Sequence, residues 1–566
     1  MKSISGKNWE ETFVNKRLIE RAKIDNNLND IQAKLIISRH FSKEEIYSIN
    51  NQVNISNPFM NNKDFLLAYK LLKKIINKNE KVLVIGDYDV DGCVSTSLMV
   101  NFLNDFKLDV KYYIPDRFID GYGANKLLID KLISKNRPQL IILLDCGTNS
   151  YEAIDYIRKC NISSIIIDHH NVQKPFPESD VFINPKKNYK IDYMSYLCSA
   201  SLTFYLIDFF IKQDNSKILF NKNLIFVLIA IVADIMPLRG LNRIVAINVL
   251  KKFKLNDNFV IQELSKFLKI KKKIDIDDLG YLFAPILNSA GRMTNANQIV
   301  ELLTTKSKNR VLYILKRLII LNVKRKIVEK KYLDEIDFNE LTKQNGIIFL
   351  YKKNISEGLI GIIASRIKEY FNKPCVVLTN SDNLVKGSAR STLNFNIGEY
   401  IHIALKKNIL IKGGGHNLAA GMSLLRKNIN ILKNFLDHIY KKEEAILNYN
   451  YISKISLNSI NKDFIKSINQ ISPFGNKNSN PTFLIENLKI IKPTLLKDRF
   501  ISCYIKSSNK LIKAISFNHI QSNISNELFN SKKKMNLLVK IKENNWNNKS
   551  SIQLQIIDII KSTNNT

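Results

Sequence analysis

The reading turns on Lys81-Val-Leu-Val-Ile-Gly-Asp-Tyr-Asp-Val-Asp-Gly92. It begins as a short β-branched apolar run and stops abruptly at three carboxylates, Asp87, Asp89 and Asp91. Leu140-Ile-Ile-Leu-Leu-Asp145 repeats that design, and so does Ser164-Ile-Ile-Ile-Asp-His-His170. Helix-like segments around 95–106 and 151–159 lie between these runs. Continuous apolar strands alternating with helices predict a parallel sheet covered on both faces. Ligands of such sheets sit beyond the carboxyl ends of the strands, where all three runs place their acids or histidines.

Working outward, the nearly all-apolar segment 223–233 predicts a buried helix ending at Asp234. On an extended turn, Asp87, Asp89 and Asp91 would face one side, and Asp145, Asp168, His169, His170 and Asp234 would converge on them. Carboxylates crowded this closely raise one another's pKa, a conflict that a pair of divalent cations resolves. Oxygen-rich sets with an imidazole favour Mn²⁺ or Mg²⁺ over zinc. Two such ions can activate a water and clamp an in-line phosphoryl displacement. A lone Asp-x-Asp is more often a solvated turn, and a lone His-His a satisfied structural pair. Three separate β runs ending in ligand-type residues, with a fourth acid ending a helix, outweigh those readings.

The chain has 566 residues, 45% of them apolar and 24% charged, the composition of a folded protein of three or four domains. Its six cysteines (Cys93, Cys146, Cys160, Cys198, Cys375 and Cys503) form no CxxC pair, which argues against a disulfide scaffold or structural zinc. The first residues lack the apolar run of a secretion signal, and 224–233 is about half the length that spans a bilayer. A soluble, cytoplasmic protein without membrane contact is expected. Lys+Arg exceed Asp+Glu by 86 − 51 = 35, which invites a polyanionic partner. Lysine outnumbers arginine about four to one, however, as codon drift in an AT-rich genome would also produce.

Elsewhere, 18–76 reads as helical, and 306–338 as a long helix, free of Gly and Pro and basic on one face, that connects two lobes. A second strand–helix–strand set covers 346–351, 360–371 and 375–378. Glycine-rich segments follow at Gly387-Ser-Ala-Arg-Ser391 and Gly413-Gly-Gly-His-Asn-Leu-Ala-Ala-Gly421. Short β-rich runs after 482 suggest a small barrel or sandwich.

These motifs resemble the DHH phosphoesterase superfamily and, within it, the RecJ family of single-strand-specific exonucleases. The resemblance continues through Ile114-Pro-Asp-Arg-Phe118, Gly121-Tyr-Gly123, Val232-Ala-Asp-Ile-Met-Pro-Leu238, Leu287-Asn-Ser-Ala-Gly-Arg292, Gly358-Leu-Ile-Gly361 and the two glycine segments to Ser472-Pro-Phe-Gly475. It implies an α/β fold: a parallel-sheet DHH domain joined by a long helix to a smaller α/β DHHA1 domain, with a C-terminal OB-like β-barrel. The expected limits are 1–76 for an N-terminal helical region, 77–250 for DHH, 251–340 for the connector, 341–450 for DHHA1 and 451–566 for the OB fold.

By the same resemblance, Asp89, Asp91, Asp145, His169 and Asp234 would hold two divalent ions, Mn²⁺ or Mg²⁺. Asp87 is counted with these ligands, Asp87 and Asp168 otherwise serving as orienters, and His170 would touch metal or scissile phosphate. Ser388 and Arg390, with backbone N–H groups of the first glycine segment, would cradle a terminal phosphate. Gly414, Gly415 and His416 would approach the substrate, with Arg117 and Arg292 as further phosphate contacts. Phe500, Tyr504, Phe517 and Trp546 could stack on bases, although two or three of them are expected in the barrel core.

The implied activity is 5′→3′ hydrolysis of single-stranded DNA to 5′-mononucleotides in repair and recombination, by a monomer supplied by a helicase and a single-strand-binding protein. A DHH phosphodiesterase of short oligonucleotides or cyclic dinucleotides, and a non-catalytic single-strand-binding scaffold, are the competing readings. The chain departs from the family pattern at Ile355-Ser-Glu357, where Trp-His is usual, at Ile286 for Arg, at Ala389 for Gly and at Lys477 for Gly. None of these is a predicted metal ligand.

Overall fold

The computed structural model describes all residues except 122, 188–192, 216–222, 382, 393, 444–447, 497–499, 518–521, 531–532, 547–548 and 561–566, and the side chains of 442–443, 448, 544–546 and 549–550. Tyr122 and the Trp546 side chain therefore lie outside the described residues. The chain forms two compact units, one from Asn54–Pro237 and Ile244–Glu443, the other from Met1–Val53, Leu238–Arg243 and Glu444–Thr566.

In the first unit, β1 (Val82–Gly86), β2 (Val110–Tyr113), β3 (Leu140–Leu144), β4 (Ser163–Ile167) and β5 (Val181–Ile183) form a parallel sheet in the order β2-β1-β3-β4-β5. Strands β1, β3 and most of β4 are buried, which is why they read as unbroken apolar runs rather than alternating ones. One face is covered by α2 (Lys126–Asn136) and α3 (Tyr151–Lys159), whose Leu128, Ile129, Leu132, Ala153, Ile154 and Ile157 pack on Leu83, Ile85, Ile141 and Leu143. Against β1 pack α1 (Val90–Asp105) and, beyond it, α4 (Ser199–Gln213) and α5 (Leu224–Ala233). The strand order reverses between β1 and β3, and that switch point opens a crevice at the carboxyl edge.

A single 27-residue helix, α6 (Lys308–Asp334), leads to a second sheet. That sheet is mixed, in the order β9-β10-β8-β7-β6, built from β6 (Ile348–Tyr351), β7 (Cys375–Ser381), β8 (Leu384–Arg390), β9 (Lys412–His416) and β10 (Ala419–Leu424). Helix α7 (Ile360–Phe371) covers one face through Ile360, Ile363, Ala364 and Ile367. Gly387–Arg390 is strand and Gly413–Gly421 is a hairpin of two strands, which corrects the expectation of a backbone cradle at Gly387–Ser391. Strand β8 lies between β7 and β10, so its main chain faces neighbouring ladders and only its side chains remain for a ligand.

In the second unit, β11 (Thr482–Leu496), β12 (Phe500–Lys506), β13 (Leu511–Ser516), β14 (Met535–Trp546) and β15 (Lys549–Ile560) close in the order β11-β12-β13-β15-β14. Helix α8 (Asn523–Asn530) sits between β13 and β14. This is the five-stranded Greek-key barrel of an OB fold. The N-terminal helical residues Leu28, Leu35, Ile36, Phe41 and Ile49 share its core with Phe483, Ile501, Leu537 and Ile556. The barrel aromatics are placed otherwise than expected: Tyr504 is 40% and Phe517 51% exposed, and Phe500 meets Phe517 edge-on at 5.0 Å. Lys477 has φ 56°, the left-handed region that glycine occupies without strain.

Candidate metal centre

The first three acids are set by a helix start rather than by an extended turn. Asp89 is the N-cap of α1, and its Oδ1 accepts from Gly92 N at 3.1 Å. Asp91 falls in the first helical turn, where the helix dipole favours a carboxylate. Gly92 permits this, because a Cβ there would lie 2.5 Å from both Asp87 N and Asp87 O. A Cβ on Gly86 would collide with Thr96 Oγ1, and one on Gly291 with the Tyr88 carbonyl. Asn288 Oδ1 also accepts from Val90 N at 3.2 Å, so the 287–292 motif braces the loop between the acids.

Asp145 follows β3 with φ 62°, a strained setting for a residue other than glycine and of the kind found at functional sites. His169 Nε2 lies 3.2 Å from Asp145 Oδ1, 3.5 Å from Asp234 Oδ2 and 3.8 Å from Asp91 Oδ2. Potential ligand atoms of three overlapping sets, Asp87–Asp89–Asp145, Asp91–His169–Asp234 and Asp145–His169–His170, each fall within 4.8 Å of one another. Asp168 stands apart. It accepts from Thr148 N at 3.0 Å, His169 N at 2.7 Å, His170 N at 3.2 Å and His170 Nδ1 at 2.7 Å. Three of these bonds fall on Oδ1 and one on Oδ2, a pattern that suits a residue holding the His169 and His170 segment in place.

Sequence reasoning missed the N-terminus of α4. Ser199 N and Ala200 N donate to the two Asp91 oxygens at 2.8 and 2.9 Å, and Ser199 Oγ donates to Asp145 Oδ1 at 3.0 Å. The only sequence signal was a polar residue opening an apolar run.

Burial and mutual repulsion dominate the electrostatics. Burial first, then Asp89, raises Asp87 to about 7 and Asp91 to about 6. Asp145 is likewise raised by burial, then Asp91 and Asp89, and Asp234 by burial, then Asp89 and Asp91. Burial drives His169 down, keeping it neutral. Burial opposes a charge on His170 too, but Asp168 outweighs it and raises the imidazole to about 9. Asp87 Oδ1 and His169 Nδ1 are buried without a hydrogen-bond partner. Unpaired buried acceptors among acids that cannot all ionise are what a hard divalent cation would satisfy, so the donor set fits such ions.

Beside this centre the Arg117 guanidinium stacks on the Tyr88 ring at 4.1 Å and donates to its hydroxyl at 2.8 Å. Arg390 Nη1 donates to Ser388 Oγ at 3.1 Å, and both side chains approach Gly361 in the first turn of α7. Burial, then the charges of Arg117, Arg390 and Arg325, pushes Arg292 down to about 9. Burial, then Arg117, pushes Arg390 to about 10. Cations repelling one another beside a helix N-terminus are an arrangement that an anion would relieve. Gly415 lets β9 approach Ala420, and Gly414 faces open space. The hairpin delivers His416, whose ring stacks on His170 at 5.6 Å. Ile286, the departure from Arg, is buried in the apolar core.

Three domain models match the chain: the DHH family N-terminal domain over 81–231, the DHHA1 domain over 344–442 and the RecJ OB domain over 453–558. The chain belongs to the RecJ family. The single-stranded-DNA-specific exonuclease RecJ of Bacillus subtilis (strain 168) is 26% identical over 550 residues, spanning 94% of this chain and 68% of that protein. RecJ of Haemophilus influenzae is 27% identical over 526 residues, spanning 87% and 90%. The crystal structure of RecJ in complex with Mn²⁺ from Thermus thermophilus has the same fold, with TM-score 0.82, 18% identity and coverage of 98% of this chain and 79% of that one. The Mg²⁺ complex of the same protein gives TM-score 0.75. No described helix is long and apolar enough to cross a membrane.

Proposed function

We propose that the chain is a metal-dependent exonuclease that degrades single-stranded DNA 5′→3′, releasing 5′-mononucleotides in repair and recombination. The observation that carries this reading is the convergence of Asp87, Asp89, Asp91, Asp145, His169 and Asp234 at the sheet's switch point, with buried acceptors left unpaired. Two Mn²⁺ or Mg²⁺ ions held by these six residues would supply a nucleophilic water at neutral pH and neutralise the phosphodiester.

The remaining work falls to the protein. Asp168 accepts from His170 Nδ1 and keeps the ring protonated, raised to about 9, so Nε2–H is also present and available to a phosphate oxygen. Arg117, Arg292, Ser388 and Arg390 bind a terminal phosphate and so fix the end at which the strand is seated. His416, pushed down to about 3 by burial and by Lys186, stays neutral and lines the approach. The exposed Tyr504 and Phe517 of the barrel offer stacking surfaces to unpaired bases, which duplex DNA does not present. A monomer acting in the cytoplasm, fed by a helicase and a single-strand-binding protein, fits this scheme.

Product analysis on end-labelled 5′-phosphorylated strands, with Mn²⁺, Mg²⁺ or chelator, tests it. Labelled mononucleotide should appear first from the 5′ end, and chelator should abolish it. Preference for a dinucleotide would favour the short-oligonucleotide phosphodiesterase, and tight strand binding without cleavage would favour the scaffold.

A further inference from the structure

Strand β5 ends level with the histidine pair. Ile183 is the register partner of Ile167 in the parallel ladder, and Asp168 N donates to the Ile183 carbonyl at 3.0 Å. Asn184 fixes the turn that follows. Its Nδ2 donates to the His170 carbonyl at 3.0 Å and to Thr148 Oγ1 at 3.1 Å, and its Oδ1 accepts from Lys186 N at 2.9 Å. The two lysines of this turn are treated differently. The Lys187 ammonium is taken up by Asp64 Oδ2 at 2.9 Å and the Phe182 carbonyl at 2.8 Å. Half-buried Lys186 has no ion pair and no side-chain hydrogen bond among the described residues. Its charge acts instead on Asp168, His169, Asp234 and His416, which are carried by the end of β4, the end of α5 and strand β9. A cation within electrostatic reach of all three elements borders the metal centre, on the side where His416 enters. Strands β1, β3 and β4 thus bring acids or histidines to the carboxyl edge, and β5 brings a positive charge.

The charge count leaves room for that cation. Asp87, Asp89, Asp91, Asp145 and Asp234 set five negative charges against four from two divalent ions, while Asp168 and His170 cancel each other. The loaded centre would keep about one negative charge where an anionic phosphodiester must arrive. We propose that the Lys186 ammonium binds a phosphate oxygen of the strand beside the ions, a substrate contact additional to Arg117, Arg292, Ser388 and Arg390. The proposal rests on the exonuclease reading and deepens it. The arginines and Ser388 seat the terminal phosphate, and Lys186 neutralises the phosphate at the acids, where a compact point charge suits the task.

The test compares the full chain with Lys186→Met, which keeps the apolar stem, and Lys186→Arg, which keeps the charge. In an Asp89→Ala background, where cleavage is suppressed, filter binding of a 5′-phosphorylated ten-nucleotide strand is measured against salt. Lys186→Met should lower the slope of log affinity against log salt by about 0.7, one phosphate contact on a single strand, and Lys186→Arg should not. In the cleaving chain with Mn²⁺, Lys186→Met should raise KM about tenfold and Lys186→Arg by about twofold at most. Mn²⁺ affinity by titration calorimetry should stay level or rise in Lys186→Met, because a cation has left the acids. An unchanged salt slope or an unchanged KM in Lys186→Met overturns the proposal. Tighter Mn²⁺ binding as the sole effect would make Lys186 a countercharge to the acids alone. If the wild type leaves strands intact with Mn²⁺, the exonuclease reading itself fails, and the salt slope still decides whether Lys186 holds a phosphate.

Discussion

Without metal, the buried acids of the centre hold protons that ordinary carboxyls release near pH 4. Asp87 at about 7 and Asp91 at about 6 bind more protons folded than unfolded between pH 4 and 7, and His170 at about 9 does so from its ordinary 6.5 upward. Stability of the metal-free chain therefore falls as pH rises through this range, opposed below pH 6.5 by His169 and His416, which are held neutral when folded. Thermal melts in chelator should show a lower melting temperature at pH 8 than at pH 5.5, and Mn²⁺ should raise it more at pH 8. A flat profile would mean that the acids are not crowded. Asp89→Ala should cut Mn²⁺-dependent hydrolysis by about a thousandfold or more, yet leave strand affinity in filter binding within about threefold, since phosphate contacts by Lys and Arg remain. These side chains were legible in the sequence because acids ending apolar strands serve no packing purpose. Ser199 and Ala200 were not, because they act largely through main-chain N–H groups that any residue carries.

At the scale of the element, Gly92 makes the sharpest prediction. Gly92→Ala places a methyl 2.5 Å from the Asp87 backbone, so the start of α1 must move off β1. The expected cost is on the order of 3 kcal/mol, with loss of Mn²⁺ binding, read by denaturant melts and calorimetry. Native stability and metal affinity in this variant would overturn the account of the helix start. The apolar runs of β1, β3 and β4 and the periodic segments of α3 and α7 were readable because burial on both faces, or on one stripe, writes itself into composition. The beginning of α1 was hidden, since glycine and alternating acids imitate a loop. The same ambiguity concealed β8, β9 and β10, where Gly387 and Gly415 serve close strand approach rather than turns.

Across the whole molecule, the second unit depends on a buried charge cluster. Glu45 accepts from Arg239 Nε at 2.8 Å, Arg239 Nη2 at 2.7 Å and Gly240 N at 2.8 Å, while Arg239 and Arg243 lie over Phe41. Glu45→Ala strands a buried guanidinium and should destabilise this unit by about 3–5 kcal/mol. In scanning calorimetry the Mn²⁺-sensitive transition should hold its position while the other moves down; no shift in either would remove the cluster from the stability of the unit. This unit is assembled from three separate pieces of chain, with Asn8–Glu11 pairing in parallel with Asn448–Tyr451 and Trp9 Nε1 donating to Asp558 at 3.0 Å. The ribosome must therefore make 444 − 53 = 391 further residues after the leading helices emerge before the third piece, which holds the barrel, begins to appear. At roughly 5–20 residues per second that delay is about 20–80 s, during which Leu35, Ile36 and Phe41 have no barrel to cover them. Nascent chains halted before residue 444 should accordingly be the form most prone to clump and most in need of a chaperone.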